Sequence, residues 1–179
     1  VQEWGVFTRP YLEQTYREFS PEAFVNDCVW LGEEPTLLIN ARWLPTPEAI
    51  EQLSSVGSDV AGFCGETLAF LVVDPFETSL LTDIEWSEPL LKIAGTRNAI
   101  QTEGNVISHP WDLIDFNSEQ LEADFRACNF TGGQTAFGPQ IAVLGDPQKV
   151  FVSPSADIDP FVVIDARNGP MSIEAGEKV

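Results

Sequence analysis

Short apolar runs separated by proline, glycine and acidic residues dominate the chain, and no long heptad-like stripe occurs. Val6-Phe7 leads into Thr8-Arg9-Pro10, and Pro10 disfavours helix at Arg9, so a strand end followed by a loop is expected. Pro21 after Ser20 reads as the opening of a short helix. Thr36-Leu37-Leu38-Ile39-Asn40 reads as a buried strand, and Thr46-Pro47-Glu48 as cap, first-turn proline and first-turn acid of a helix ending near Gly57. Val60–Phe63 and Thr67–Val73 flank Gly65-Glu66, the pattern of a hairpin or bulged strand pair ended by Asp74-Pro75. Glu88–Ala94 reads as a short helix closed by Gly95. A longer helix opens at Asn117, with Leu121, Phe125 and Cys128 on one face. The glycines and proline of 129–140 form the strongest loop signal, and Gly132-Gly133 reads as linker.

From Val152 onward the rule changes. Aliphatic residues stand at Val152, Ile158 and Ile164, six apart, and at Ile173 and Val179, again six apart. The nine-residue gap between Ile164 and Ile173 holds Asn168-Gly169-Pro170. A six-residue period marks a parallel β-helix, with three faces to a coil and the three extra residues bulging from a corner. The alternative from periodicity alone is an antiparallel hairpin turning at Asn168-Gly169. The β-helix predicts that these five aliphatic residues share one narrow interior.

Composition bounds the function. The 179 residues hold 28 acids and 9 bases, a formal charge of −19, with 44% hydrophobic residues. That length supports one compact domain, or one and an appendage, and a core large enough to stand unaided. So acidic a chain is a poor partner for nucleic acid or an anionic membrane, since each phosphate contact needs a cation. Nor does any apolar stretch reach the roughly 20 residues of a membrane span. Cys28, Cys64 and Cys128 are odd in number and widely spaced, which fits buried thiols in the cytoplasm better than disulfides or zinc. The single methionine, Met171, and the start at Val1-Gln2 suggest an interior piece of a longer protein.

Four blocks carry a resemblance. Phe7-Thr8-Arg9-Pro10, Leu38-Ile39-Asn40-Ala41-Arg42-Trp43-Leu44-Pro45, Pro110-Trp111-Asp112-Leu113 with Asn117, and Ala156–Asp165 followed by Gly169-Pro170 occur in one order. Together they resemble a bacterial family of sugar nucleotidyltransferase-like proteins, relatives of the bifunctional enzyme that makes UDP-N-acetylglucosamine from glucosamine 1-phosphate. The resemblance implies an α/β fold: a Rossmann-like nucleotidyltransferase-type domain over 1–149, its first strand missing, then the first coils of a left-handed parallel β-helix over 150–179. It implies a nucleoside triphosphate and a sugar phosphate as substrates, Mg2+ as cofactor, and a homotrimer in the intact protein. A catalytically inactive sugar-nucleotide binding or trimer-assembly module is the alternative, and a plain acidic interaction domain a third.

Nucleotidyl transfer needs cations at the developing charge and carboxylates for a metal. Arg9 in the matched loop suits bidentate phosphate contact. Arg42, past the strand end, stands where open α/β sheets bind ligands, and Asn40 suits a base or sugar. Asp74, at the end of an apolar strand, is the candidate metal ligand and catalytic carboxylate, or an ordinary strand-ending turn. Asp112 orients a substrate hydroxyl or caps a turn; Trp111 stacks on a sugar or base, or is a buried anchor. His109, the only histidine, precedes Pro110 and has no nucleophile motif beside it. The family's glycine-rich loop ending in Gly-Thr-Arg has no counterpart after the first strand. Gly95-Thr96-Arg97 falls in mid-chain after a helix and is taken as coincidence.

Overall fold

The computed structural model describes residues 3–81, 86–128, 130 and 138–179. The chain forms two compact units, Val1–Val106 and Ile107–Val179. The boundary expected at 149/150 falls inside the second, and Gly132-Gly133 lies outside the described residues.

In the first unit, β1 (Gly5–Val6) is followed by a 3-10 turn at Pro10–Leu12 and by α1 (Glu13–Phe19). Then come β2 (Phe24–Val25) and α2 (Cys28–Leu31), whose first turn is capped by Asp27 accepting from Val29 and Trp30 N–H. Pro21 opens no helix. It sits just past α1, where a residue unable to continue the helix acts as a stop. β3 (Thr36–Ile39), β4 (Trp43–Pro45) and α3 (Pro47–Leu53) follow, the last capped as expected by Thr46 Oγ1 on Ala49 N–H at 3.2 Å. β5 (Val60–Cys64) and β6 (Thr67–Val73) form the hairpin read from the sequence. Gly65 takes φ +61° at its tip, and the register shifts between Gly62 and Phe63. A 3-10 helix at Pro75–Leu80, α4 (Ser87–Ala94), β7 (Asn98–Gln101) and β8 (Gly104–Val106) complete the unit.

Its main sheet runs β3-β6-β5-β7, while β4 pairs with β8 and β1 with β2. β3–β6 and β6–β5 are antiparallel and β5–β7 is parallel. The sheet is therefore mixed, because a two-residue hairpin joins its central strands. β6 is covered on both faces, which is why its sequence is an unbroken apolar run. Leu71 and Val73 pack with Leu31, Ala61, Leu81, Ile93 and Ala94, while Phe70 packs with Trp43 and Ala49.

The second unit begins with α5 (Asp112–Asp115) and α6 (Asn117–Ala127). On α6 Phe125 is half-buried against Phe130, ring centroids 5.1 Å apart, whereas Leu121 and Cys128 are exposed. Cys28 is exposed too and Cys64 half-buried, so the buried-thiol reading fails at two of three positions.

β9 (Ala142–Gly145), β10 (Val150–Val152), β11 (Val163–Ala166) and β12 (Met171–Ile173) pair only in parallel among the described residues: β10 with β12 and β9 with β11. Val150 lies beside Met171, Ala142 beside Val163 and Asp157 beside Lys178, each pair 21 positions apart. That shared offset equals the sum of the spacings of six, six and nine from Val152 to Ile173. Val152, Ile164 and Ile173 form the buried core, with Ile158 packed against it. Val179 is 46% exposed and outside it. The hairpin alternative at Asn168-Gly169 is overturned, since β11 and β12 on either side of that turn pair with other strands.

Candidate functional site

Arg9 stands at the end of a loop that is held rather than free. Asn26, in the left-handed region at φ +52°, accepts the Thr8 N–H on Oδ1 at 2.8 Å and donates its own N–H to Val6 O at 2.9 Å. Its Nδ2 donates to Glu13 Oε2 at 3.3 Å, and Arg17 holds the other oxygen of that carboxylate at 2.9 and 3.1 Å. Arg17 also donates to Val25 O. The guanidinium of Arg17 and then the Asn26 amide hold the Glu13 carboxyl below its usual range. The loop from β1 is thereby tied to β2 and α1, and Arg9 projects from it exposed, donating from Nη1 to Tyr11 Oη at 3.2 Å.

Asn40 ends β3, and its side chain is spent on backbone. Nδ2 donates to Leu68 O at 2.9 Å and Oδ1 accepts the Arg42 N–H at 3.0 Å. This builds the β3–β4 corner and leaves the Arg42 side chain exposed. The first unit holds five cations. Arg17, Lys92 and Arg97 each meet a carboxylate, whereas Arg9 and Arg42 meet none among the described residues.

Asp74 lies elsewhere. Asn40 N–H bonds to Ala69 O, five residues before Asp74 along β6, so antiparallel pairing puts the two at opposite ends of the strand pair, about 17 Å apart. The Asp74 carboxylate is 3.6 Å from Arg97 Nη2, and the same nitrogen is 2.7 Å from both oxygens of Glu77. Arg97 and Glu77 side chains are 13% and 9% exposed. Glu77 Oε2 also accepts the Asp74 N–H at 3.0 Å. These residues do not fit a magnesium site: a guanidinium already occupies the approach, and the described residues hold no group of three metal-ligating side chains. Gly95-Thr96-Arg97 follows α4, and Arg97 is engaged with Glu77, its side chain 13% exposed. Its Nε is buried without a hydrogen-bond partner among the described residues.

Trp111 and Asp112 belong to the second unit. Asp112 Oδ2 accepts the N–H groups of His109 and Ser108 at 2.8 and 2.7 Å, and these two bonds hold its carboxyl below the usual range. It caps the turn, as one of its two readings held. Trp111 is 59% exposed and no buried anchor. Its ring stacks on His109, centroids 4.6 Å apart and 9° from parallel.

In the first unit the sequence blocks give a clasped Arg9 loop, an Arg42 corner and a largely covered Asp74–Glu77–Arg97 cluster, and in the second an exposed Trp111 stack. Asn26, Glu13 and Tyr11 were not legible as parts of the first of these. Asn26-Asp27 does signal a turn, but its partner Thr8 is 18 residues away.

The sugar nucleotidyl transferase family model matches residues 1–131. The chain belongs to that family. The match takes in the Arg9 loop, the Arg42 corner and the Trp111–Asp112 turn, three of the four blocks on which the resemblance rested. No curated protein matches the chain. Substrates of a sugar nucleotidyl transferase are a nucleotide and a sugar phosphate, so the exposed, carboxylate-free arginines are the side chains whose chemistry suits them.

Proposed function

We propose that this chain belongs to a protein that joins a sugar 1-phosphate to a nucleoside triphosphate, of the type that forms UDP-N-acetylglucosamine. An oxygen of the sugar phosphate attacks the α-phosphorus. The bond from that phosphorus to the β-bridging oxygen breaks, and pyrophosphate leaves with the electron pair. The observation that carries the reading is the pair Arg9 and Arg42. In a unit with 17 acids and 5 bases, they alone among its described cations keep the guanidinium clear of carboxylates. Arg9 meets phosphate oxygens bidentately and offsets the charge of the transferring group, and Arg42 holds a second phosphate or the sugar. Asn40 acts by shaping the corner that presents Arg42. Trp111 offers a ring edge and an open face to a sugar or base. Magnesium, which the resemblance implies, would supply charge neutralisation on the triphosphate. Asp74 as placed does not hold it, and no step is assigned to Asp74.

The same reading takes the second unit as the start of a left-handed β-helix over 150–179 and, in the intact protein, a trimer. The parallel pairs 21 residues apart and the single aliphatic core support it. Three free cysteines suit a cytoplasmic setting. Among the described residues no helix is long and apolar enough to cross a membrane.

A second reading, a sugar-nucleotide binding or assembly module without catalysis, is favoured by Asp74. Its carboxylate faces Arg97 at the end of the strand pair away from Arg42. Isothermal titration with UTP, UDP-N-acetylglucosamine and Mg2+ tests both. Binding with pyrophosphate release on adding the sugar phosphate fits the first, binding without release fits the second, and no heat with any ligand removes the first.

A further inference from the structure

Asn26 is conspicuous on physical grounds alone. A non-glycine residue at φ +52° is uncommon, and asparagine is among the few that tolerate it. Such a conformation persists where the surroundings over-determine it. Here three polar groups of one residue are all engaged, each on a different element. The backbone N–H goes to Val6 O at the end of β1, Oδ1 takes Thr8 N–H in the loop beyond it, and Nδ2 reaches Glu13 on α1.

We propose that Asn26 is a positioning residue for Arg9: a clasp that fixes the direction in which the Thr8-Arg9-Pro10 loop leaves β1, and so where the guanidinium meets phosphate. This rests on the reading of Arg9 as a phosphate ligand. Thr8 N–H is the last main-chain donor before Arg9 and Pro10 has none, so the Thr8–Asn26 bond sets the approach to Arg9. Pro10 pre-sets the other side, opening the 3-10 turn with Arg9 extended at φ −63°, ψ 141°. The loop is thus stiffened on both flanks of one exposed cation. Holding a charged group in place before the ligand arrives removes an ordering cost that binding would otherwise meet. Glu13 supplies the far anchor, and Arg17 keeps that carboxylate turned toward Asn26.

A double-mutant cycle on the full chain tests this with UTP as the probe. Asn26→Gly removes the clasp and tolerates the left-handed backbone; Asn26→Ala removes it and adds backbone strain. The expected result is that both variants weaken UTP by a similar factor, about 10-fold for one ordering hydrogen bond, although Ala melts at a lower temperature than Gly. In an Arg9→Ala background the Asn26→Gly loss should shrink to less than about 2-fold, because Asn26 acts through Arg9. An equal loss with and without Arg9 would overturn the proposal while leaving Arg9 as a ligand. Affinity that falls in step with melting temperature, Ala worse than Gly, would overturn it as a merely structural role. If the unmutated chain binds no UTP, the reading of Arg9 falls and the clasp's role with it.

Discussion

Arg97 Nη2 lies 2.7 Å from both carboxylate oxygens of Glu77, with the two side chains 13% and 9% exposed. The contact joins the segment after α4 to the 3-10 helix after β6, and Asp74 adds a second carboxylate at 3.6 Å. Removing one partner would leave the other charge buried and unpaired. Arg97→Ala is expected to cost about 3 kcal/mol in urea unfolding, at the low end for a broken buried pair. Lys92→Ala, which breaks an exposed helix pair with Glu88, should cost under about 0.5 kcal/mol. Equal losses would mean that the Arg97 pair is solvated.

Gly62 faces the Phe70 ring so closely that an added Cβ would overlap it. Phe70 is 3% exposed and packed against Trp43 at 5.7 Å, so the ring has little room to retreat. Gly62→Ala should destabilise the first unit by about 1–3 kcal/mol through overpacking. Gly138→Ala, with nothing within 4 Å of its Cβ among the described residues, is the control that should leave the melting temperature unchanged.

In the second unit, Ile164 is 1% exposed in the aliphatic core and its neighbour Val163 is 58% exposed. Ile164→Ala should cost about 2–4 kcal/mol, and Val163→Ala under about 0.5 kcal/mol. Thermal unfolding read on this unit's aromatic signals would separate them. Similar effects at both would contradict the alternation of inward and outward side chains along β11.

The carboxyl of Asp165 is pulled down to about 2 by the Arg167 side chain and backbone N–H. A lowered folded-state value stabilises the fold above the unfolded value of 3.8, and that contribution is lost as pH falls from 3.8 through about 2. Carbon chemical shifts of Asp165 followed through an acid titration should show its midpoint near 2. In Arg167→Ala the midpoint should rise toward 3.8. A midpoint already near 3.8 in the unmutated chain would show that the pair does not persist in solution.

What the sequence revealed follows from how local each signal is. Thr46-Pro47-Glu48 starts a helix and Gly65-Glu66 turns a hairpin because cap and turn chemistry act within four residues. The spacing of Val152, Ile158, Ile164 and Ile173 was legible as a row of aliphatic positions, and these residues do pack together. The Arg97–Glu77 pair was not legible, because the two stand 20 residues apart and no local pattern joins them. Asp74 was grouped with Asn40 and Arg42 because all three follow strands; only the antiparallel pairing of β3 with β6 shows that those strand ends face opposite ways. The strand order β3-β6-β5-β7 was not legible, because the β3–β6 and β5–β7 pairings join segments about thirty or more residues apart.

We propose that Arg9 and Arg42 handle phosphate in this sugar nucleotidyl transferase family member. Pyrophosphate release from UTP and N-acetylglucosamine 1-phosphate with Mg2+, measured for the full chain and for Arg9→Ala, Arg42→Ala and the double variant, tests it most directly. The account predicts release by the unmutated chain, a loss of about 10-fold or more at each arginine and a further loss in the double variant, with melting temperatures unchanged. Release that survives in the double variant, or none from the unmutated chain, would contradict it.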